Sequence, residues 1–146
     1  MKATFIEAFG DAAAAAAAAR LGTPVSRAAP VRGSPAHPVK GLAALVGLTG
    51  DLQGRLTLDL DPRAASSVTG ASGEDPHGVA DFAEDVTARA LAALRSAGVR
   101  IEATPPMVFT GRNLEVTNSR METATVPIGI PDGTLLVSVA ARDDGS

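Results

Sequence analysis

Leu42-Ala-Ala-Leu-Val-Gly-Leu-Thr49, then Gly50-Asp-Leu-Gln-Gly54, then Arg55-Leu-Thr-Leu-Asp-Leu60, is the stretch from which the fold is read. Its first third is an almost continuous apolar run. Its last third alternates strictly, so Leu56, Leu58 and Leu60 share one face and Arg55, Thr57 and Asp59 share the other. The spacing predicts two strands, with the leucines toward a core and the polar set facing out. The glycine-bounded link of Gly50 to Gly54 joins them as a hairpin.

N-terminal to this hairpin, Ala12 to Ala19 form a run of alanines, the residue with the highest intrinsic helix propensity. Thr4-Phe-Ile-Glu7 has the form of a capping box. Arg20 suits the negative end of the helix dipole, Gly22 a left-handed cap, and Pro24 forbids continuation. A helix is therefore expected from Phe5 to Leu21, its alanines forming a closely packed face. From Thr23 to Pro38 the sequence turns rich in Pro, Ala and Arg, which suits an edge strand over Val25 to Val31 followed by an exposed loop. His37 falls in that loop with no acid nearby and reads as a solvated side chain.

C-terminal to the hairpin, residues 61–76 are rich in Gly, Ser and Asp and have room for one helical turn after Pro62. Asp75-Pro76 then opens a second long helix with an acidic cap and a proline in the first turn. At about 100° per residue, Val79, Phe82, Val86, Ala90, Ala93 and Ala97 line one face. His77, Asp81, Glu84 and Ala88 line the opposite one. Gly98 ends the helix. Short strands follow over Val99 to Ala103, Met107 to Thr110, Leu114 to Thr117, Thr123 to Ile130 and Leu135 to Ala141, the last two joined by a turn at Pro131-Asp-Gly133. The tail from Arg142 to Ser146 is expected to fray. The order of elements predicts one α+β domain spanning residues 1–146: two long helices packed on one side of a mainly antiparallel or mixed β-sheet.

The totals narrow the function. The chain has 146 residues, enough for one core, and its 45% hydrophobic and 20% charged content is that of a globular protein. A net charge of −3 with scattered Lys and Arg argues against a nucleic-acid surface. Without Cys, disulfides, zinc–thiolate sites and thiol nucleophiles are excluded. Without Trp or Tyr, stacking on bases or sugars is a poor fit. The alanine run is too short and too weakly apolar to span a bilayer, and Glu7 and Asp11 interrupt any signal-peptide pattern, so the expected location is the cytoplasm. Ser66 and Ser67 lack a His–acid arrangement, and Gly70-x-x-Gly73 precedes no phosphate-binding base, so neither points to hydrolase or nucleotide chemistry.

Four segments in order carry a family resemblance: Met1-Lys-Ala at the start, Gly47-Leu-Thr-Gly-Asp-Leu-Gln-Gly54, Thr104-Pro-Pro-Met-Val-Phe-Thr-Gly111 and Val126-Pro-Ile128. Together they resemble CheX proteins, relatives of CheC and FliY, over most of the chain. The resemblance implies removal of the phosphoryl group from the aspartyl phosphate of a CheY-type response regulator. The family motif is Glu-x-x-Asn on the exposed face of a long helix. Its Glu docks on a receiver lysine, and its Asn amide orients the attacking water. Such catalysis is mostly positioning and charge placement.

Counting back from Thr104-Pro105-Pro106 without gaps puts the Glu position at Asp81 and the Asn position at Glu84, both on the polar face that helical periodicity picks out independently. The motif here reads Asp81-Phe-Ala-Glu84. Asp for Glu keeps the charge and loses a methylene of reach. Glu for Asn removes the N–H donor and brings negative charge toward an anionic phosphoryl group. The connector from Asp61 to Pro76 is also shorter than the family's. Other registers offer little: Asn113 and Asn118 are the only asparagines and lie far along the chain, and in Glu84-x-x-Thr87 the threonine turns toward the flank of the apolar face. His77, Asp81 and Glu84 at helical spacing also fit a shared divalent metal, but acids near a helix N-terminus are ordinary. The candidate catalytic residues are thus Asp81 and Glu84. No cofactor of the chain's own is expected, since the magnesium ion belongs to the receiver. The expected partners are a phosphorylated receiver domain and, by the same resemblance, a second copy in a homodimer through sheet edges, with no nucleic acid and no membrane. Two classes stay open: a phosphatase with a variant motif, and a receiver-binding or dimerisation module that has lost catalysis.

Overall fold

The computed structural model describes residues 2–32, 36–38, 41–70, 75–110, 115–117, 121–131 and 133–142. The elements in chain order are α1 (Ala3–Leu21), β1 (Ser26–Arg27), β2 (Val31–Arg32), β3 (Ala36–Pro38), β4 (Leu42–Gly50), β5 (Gly54–Leu60), α2 (Pro62–Thr69), α3 (Pro76–Ser96), β6 (Ile101–Ala103), β7 (Met107–Thr110), β8 (Glu115–Thr117), β9 (Met121–Ile130) and β10 (Gly133–Arg142). Eight strands form one sheet in the order β1-β9-β10-β5-β4-β6, with β2 also on β9 and β7 also on β4. Every pairing in it is antiparallel. β3 and β8 pair separately as a two-stranded ribbon.

Strand register explains the core. The 42–60 hairpin forms as its alternation requires, with Leu42 opposite Leu60, Ala44 opposite Leu58 and Val46 opposite Leu56. β10 continues these rows with Leu135, Val137 and Val139, and β9 with Ile128, Val126 and Ala124. All twelve side chains are buried. They face the helices, because side chains of one parity share one face of a strand. Phe5, Ile6, Phe9, Ala12, Ala13, Ala16 and Ala17 of α1, Ala64, Ala65 and Val68 of α2, and Val79, Phe82, Ala83, Val86, Ala90 and Leu94 of α3 close over them as one cluster. Gly54 has to be glycine: a Cβ there would lie 1.8 Å from the carbonyl oxygen of Ala140 across the strand.

The expected α+β architecture is therefore the observed one, with differences of detail that have physical causes. The capping box does not form. α1 begins at Ala3, so Thr4 lies inside it; its cap, Lys2, makes no side-chain cap hydrogen bond. Glu7 pairs instead with Arg27. The turn expected after Pro62 is an eight-residue helix, because Asp61 caps it, accepting from the backbone N–H of Ala64 at 2.8 Å and from that of Thr134 at 2.9 Å. The edge strand expected over Val25 to Val31 is two short pieces on β9. His37, expected in a loop, lies in β3 opposite Val116. Thr57 and Asp59 are on the face away from the helices as expected, yet each is only 2% exposed, so that face is covered too. Ala93 and Ala97 are exposed, and Leu94 turns inward in their place. Asn113, Asn118, Gly73 and the tail beyond Arg142 lie outside the described residues.

Candidate functional site

α3 is the element that presents the candidate residues, and its sequence fixes which way it faces. Asp75 caps its start, accepting from the backbone N–H of His77 at 3.1 Å, and Pro76 occupies the first turn. Phe82, Val79, Val86 and Ala90 are fully buried. Burying that stripe leaves His77, Asp81, Glu84 and Ala88 exposed on the opposite side. Asp81 and Glu84, three apart, are neighbours on the helix surface. Among the described residues, no hydrogen bond or ion pair engages either carboxylate. Both are free to meet a partner.

Thr87 supplies no alternative. It is 7% exposed and its hydroxyl donates to the carbonyl of Ala83 at 2.7 Å, so it belongs to the packed flank. Among the described residues, no three His, Asp or Glu side chains gather as a metal site. Serine chemistry at Ser66 and Ser67 finds no support either, since α2 packs Ala65 and Val68 around them into the core. An open cavity of ≈ 540 Å³ lies at the other end of α3, lined by Gly50, Asp51, Arg95, Arg100, Ile101 and Glu102. Asp81 and Glu84 do not line it.

Beside the exposed pair runs an ion cluster. Asp85 accepts from Arg20 of α1 at 2.5 Å and from Arg89, one turn on, at 2.8 Å. The Arg20 guanidinium also lies 5.2 Å from the centre of the Phe82 ring. Partial burial pushes the Asp85 carboxyl up, but the hydrogen bonds and charges of Arg89 and Arg20 outweigh it and hold the group below the usual carboxylate range. Sequence reasoning passed over this cluster. Asp85 and Arg89 stand at the favourable acid-then-base i,i+4 spacing, a local signal. Arg20 is 65 positions from Asp85, and nothing local announces that contact.

The Thr-Pro-Pro element and the hairpin glycine, quoted separately in the sequence, meet in space. Thr104 Oγ1 accepts from the backbone N–H of Gly47 at 2.8 Å, and the Thr104 N–H donates to the Gly47 carbonyl at 2.9 Å. A Cβ on Gly47 would press on the Thr104 side chain at 3.2 Å. The pair holds the strand leaving α3 against β4.

No family model and no curated protein matches the sequence. Solved structures do. A CheC-like superfamily protein from Shewanella sp. PV-4 superposes with a TM-score of 0.83 at 18% identity, over 98% of this chain and 100% of that one. A chemotaxis protein CheX from Desulfovibrio desulfuricans gives 0.83 at 17% identity, over 94% and 99%. The CheX of a CheX–CheY–BeF3–Mg2+ complex from Borrelia burgdorferi gives 0.76 at 24% identity, over 95% and 98%. This chain has the CheC/CheX-like fold. Within that CheX-like fold residues 47–54 fall on the β4–β5 hairpin, residues 104–110 on the link after β6 and on β7, and residues 126–128 on β9, in the one sheet that backs α3.

Proposed function

We propose that this chain is a CheX-like domain that docks α3 on the receiver of a CheY-type response regulator and hydrolyses its aspartyl phosphate slowly. The observation that carries the reading is the exposed, unengaged pair Asp81 and Glu84 on the outer face of the long helix of a CheX-like fold. That a solved CheX is complexed with CheY supports the choice of partner. In this reading Asp81 pairs with the receiver's active-site lysine, and Glu84 lies nearest the phosphoryl group. The magnesium ion is the receiver's, and the chain contributes no covalent intermediate. Its work is positioning, which is what phosphoryl transfer needs from a protein. Glu84 can accept a proton or hydrogen bond from water but cannot donate one while ionised, and its charge opposes the phosphoryl oxygens.

The same observation favours a second reading, in which the chain binds the receiver and does not catalyse. Glu84 is the residue that separates the two. Either way the domain works in the cytoplasm as one unit over residues 1–146, where its receiver partner is found. The homodimer that the resemblance implies would use the sheet edges, β1 with β2 on one side or β6 with β7 on the other. Exposed Val31 on β2 and Met107 on β7 are apolar side chains at those two edges.

The test is a titration of the source organism's CheY-type receivers, loaded with beryllofluoride and Mg2+, with the wild-type chain and with Asp81→Ala. Loss of one close charge pair weakens such a complex by roughly tenfold. Binding by neither protein, or equal binding by both, overturns the assignment of Asp81.

A further inference from the structure

We propose that Arg20 and Asp85 are positioning residues that set the roll of α3 about its own axis, and so aim Asp81 and Glu84. The inference rests on the receiver-docking reading of that face. α3 is held against the sheet by a buried apolar stripe in which Phe82 and Leu94 are large and Val79, Ala83, Val86 and Ala90 are small. The hydrophobic effect is non-directional, and the small side chains along much of the stripe resist rotation less than large ones would. Arg20 supplies what the stripe lacks. It comes from the last turn of α1, a separate helix, and grips α3 at two points one turn apart: its Nη1 donates to Asp85 Oδ2 at 2.5 Å, and its guanidinium covers the Phe82 ring at 5.2 Å. Phe82 and Asp85 are the residues that directly follow Asp81 and Glu84. Both grips therefore act on the turn that carries the candidate pair.

The leverage is large. A carboxylate on a helix lies roughly 5–6 Å from the axis, given a helix diameter of about 10–12 Å with side chains, so a roll of about 10° displaces it by about 1 Å. Misplacements of that size cost on the order of 10² in reactions that depend on positioning. Arg89, on α3 itself, engages the other carboxylate oxygen, donating Nε–H to Asp85 Oδ1 at 2.8 Å. The cluster also tempers charge. Asp81, Glu84 and Asp85 are three carboxylates within five residues, and two guanidiniums reduce them to a single net negative charge. The Arg20 and Asp85 side chains are 28% and 26% exposed, so the pair is partly shielded from salt.

The positioning role and a plain charge effect make opposite forecasts, which allows a clean test. Asp85→Asn removes a negative charge beside an acidic face, so charge alone would tighten binding to an anionic, beryllofluoride-loaded receiver. Positioning predicts the reverse. Asp85→Asn and Arg20→Gln should both weaken binding, by roughly tenfold or more, and Asp85→Glu, which restores a carboxylate, should recover most of it. Residual dipolar couplings of the α3 amides, measured on the same folded proteins without any partner, should shift relative to the sheet in Asp85→Asn and Arg20→Gln. Tighter binding by Asp85→Asn, or weakened binding with unchanged couplings, overturns the proposal. If the wild type binds no receiver, the docking reading falls separately. The couplings then decide whether Arg20 and Asp85 set the roll of α3 at all: unchanged couplings overturn it, and shifted ones uphold it.

Discussion

Glu84 is one methylene longer than an asparagine, and its carboxylate offers acceptors only while the amide both accepts and donates. That difference was legible in the sequence, because the spacing from Thr104-Pro105-Pro106 and the period of the helix lead to the same two positions. The structure places Asp81 and Glu84 on the exposed face as periodicity requires. What no local pattern reveals is a contact between distant residues, such as Arg20 on Asp85 or Thr104 on Gly47. Asp61 is a third case: Asp-Pro suggests a turn, but the second hydrogen bond, from Thr134 N–H, comes from 73 residues away. Asp61→Ala removes the α2 cap and leaves that N–H without its acceptor. The expected loss is about 1–3 kcal/mol, read from the shift in urea midpoint at unchanged slope.

α3 shows how an element is specified more by its buried stripe than by its ends. Its cap, proline and apolar period were all readable, and they place its start correctly at Asp75 and Pro76. The stripe fails only in the last turns, where Leu94 replaces Ala93 and Ala97 because a larger side chain can reach the core as the helix runs past it. α1 is the converse. Its propensity is high along its whole length, so the start is set by where Phe5 and Ile6 must pack, and the Thr4–Glu7 box is bypassed. Phe82 is fully buried, and it both fills the core and carries the Arg20 guanidinium. Phe82→Ala should therefore cost about 3–5 kcal/mol, the range for truncating a buried aromatic. Phe82→Leu should keep much of the core contact and lose the ring beneath Arg20. Denaturant unfolding of the two variants checks the order.

For the whole molecule, the antiparallel sheet with its helices on one face follows from a hairpin, two long helices and a series of short strands. The second covered face does not follow: Thr57, Asp59 and Ser138 are polar by sequence and buried by structure. Alternation identifies the two faces of a strand but not what lies over each one. The Arg20–Asp85–Arg89 cluster links stability to pH with a definite sign. The folded-state pKa of Asp85 is depressed, so its contribution is fully present above the unfolded value of about 3.9 and disappears as pH falls through the lower folded value. The stability difference between wild type and Asp85→Asn should be constant above about pH 4 and shrink below it, as urea midpoints across the acid range will show. Sedimentation at rising concentration tests the edge-to-edge homodimer, and a strictly monomeric mass would count against it. The central claim is that α3 meets a phosphorylated receiver with a carboxylate where the CheX motif has an amide. Decay of a phosphorylated CheY-type receiver, timed with no addition, with the wild-type chain and with the double variant Asp81→Glu, Glu84→Asn, tests it most directly. The account predicts little or no acceleration by the wild type and an increase of roughly 10²-fold in the double variant, the effect of one well-placed polar group. A wild type that is already fast, or a double variant that binds the receiver and remains inert, would contradict it.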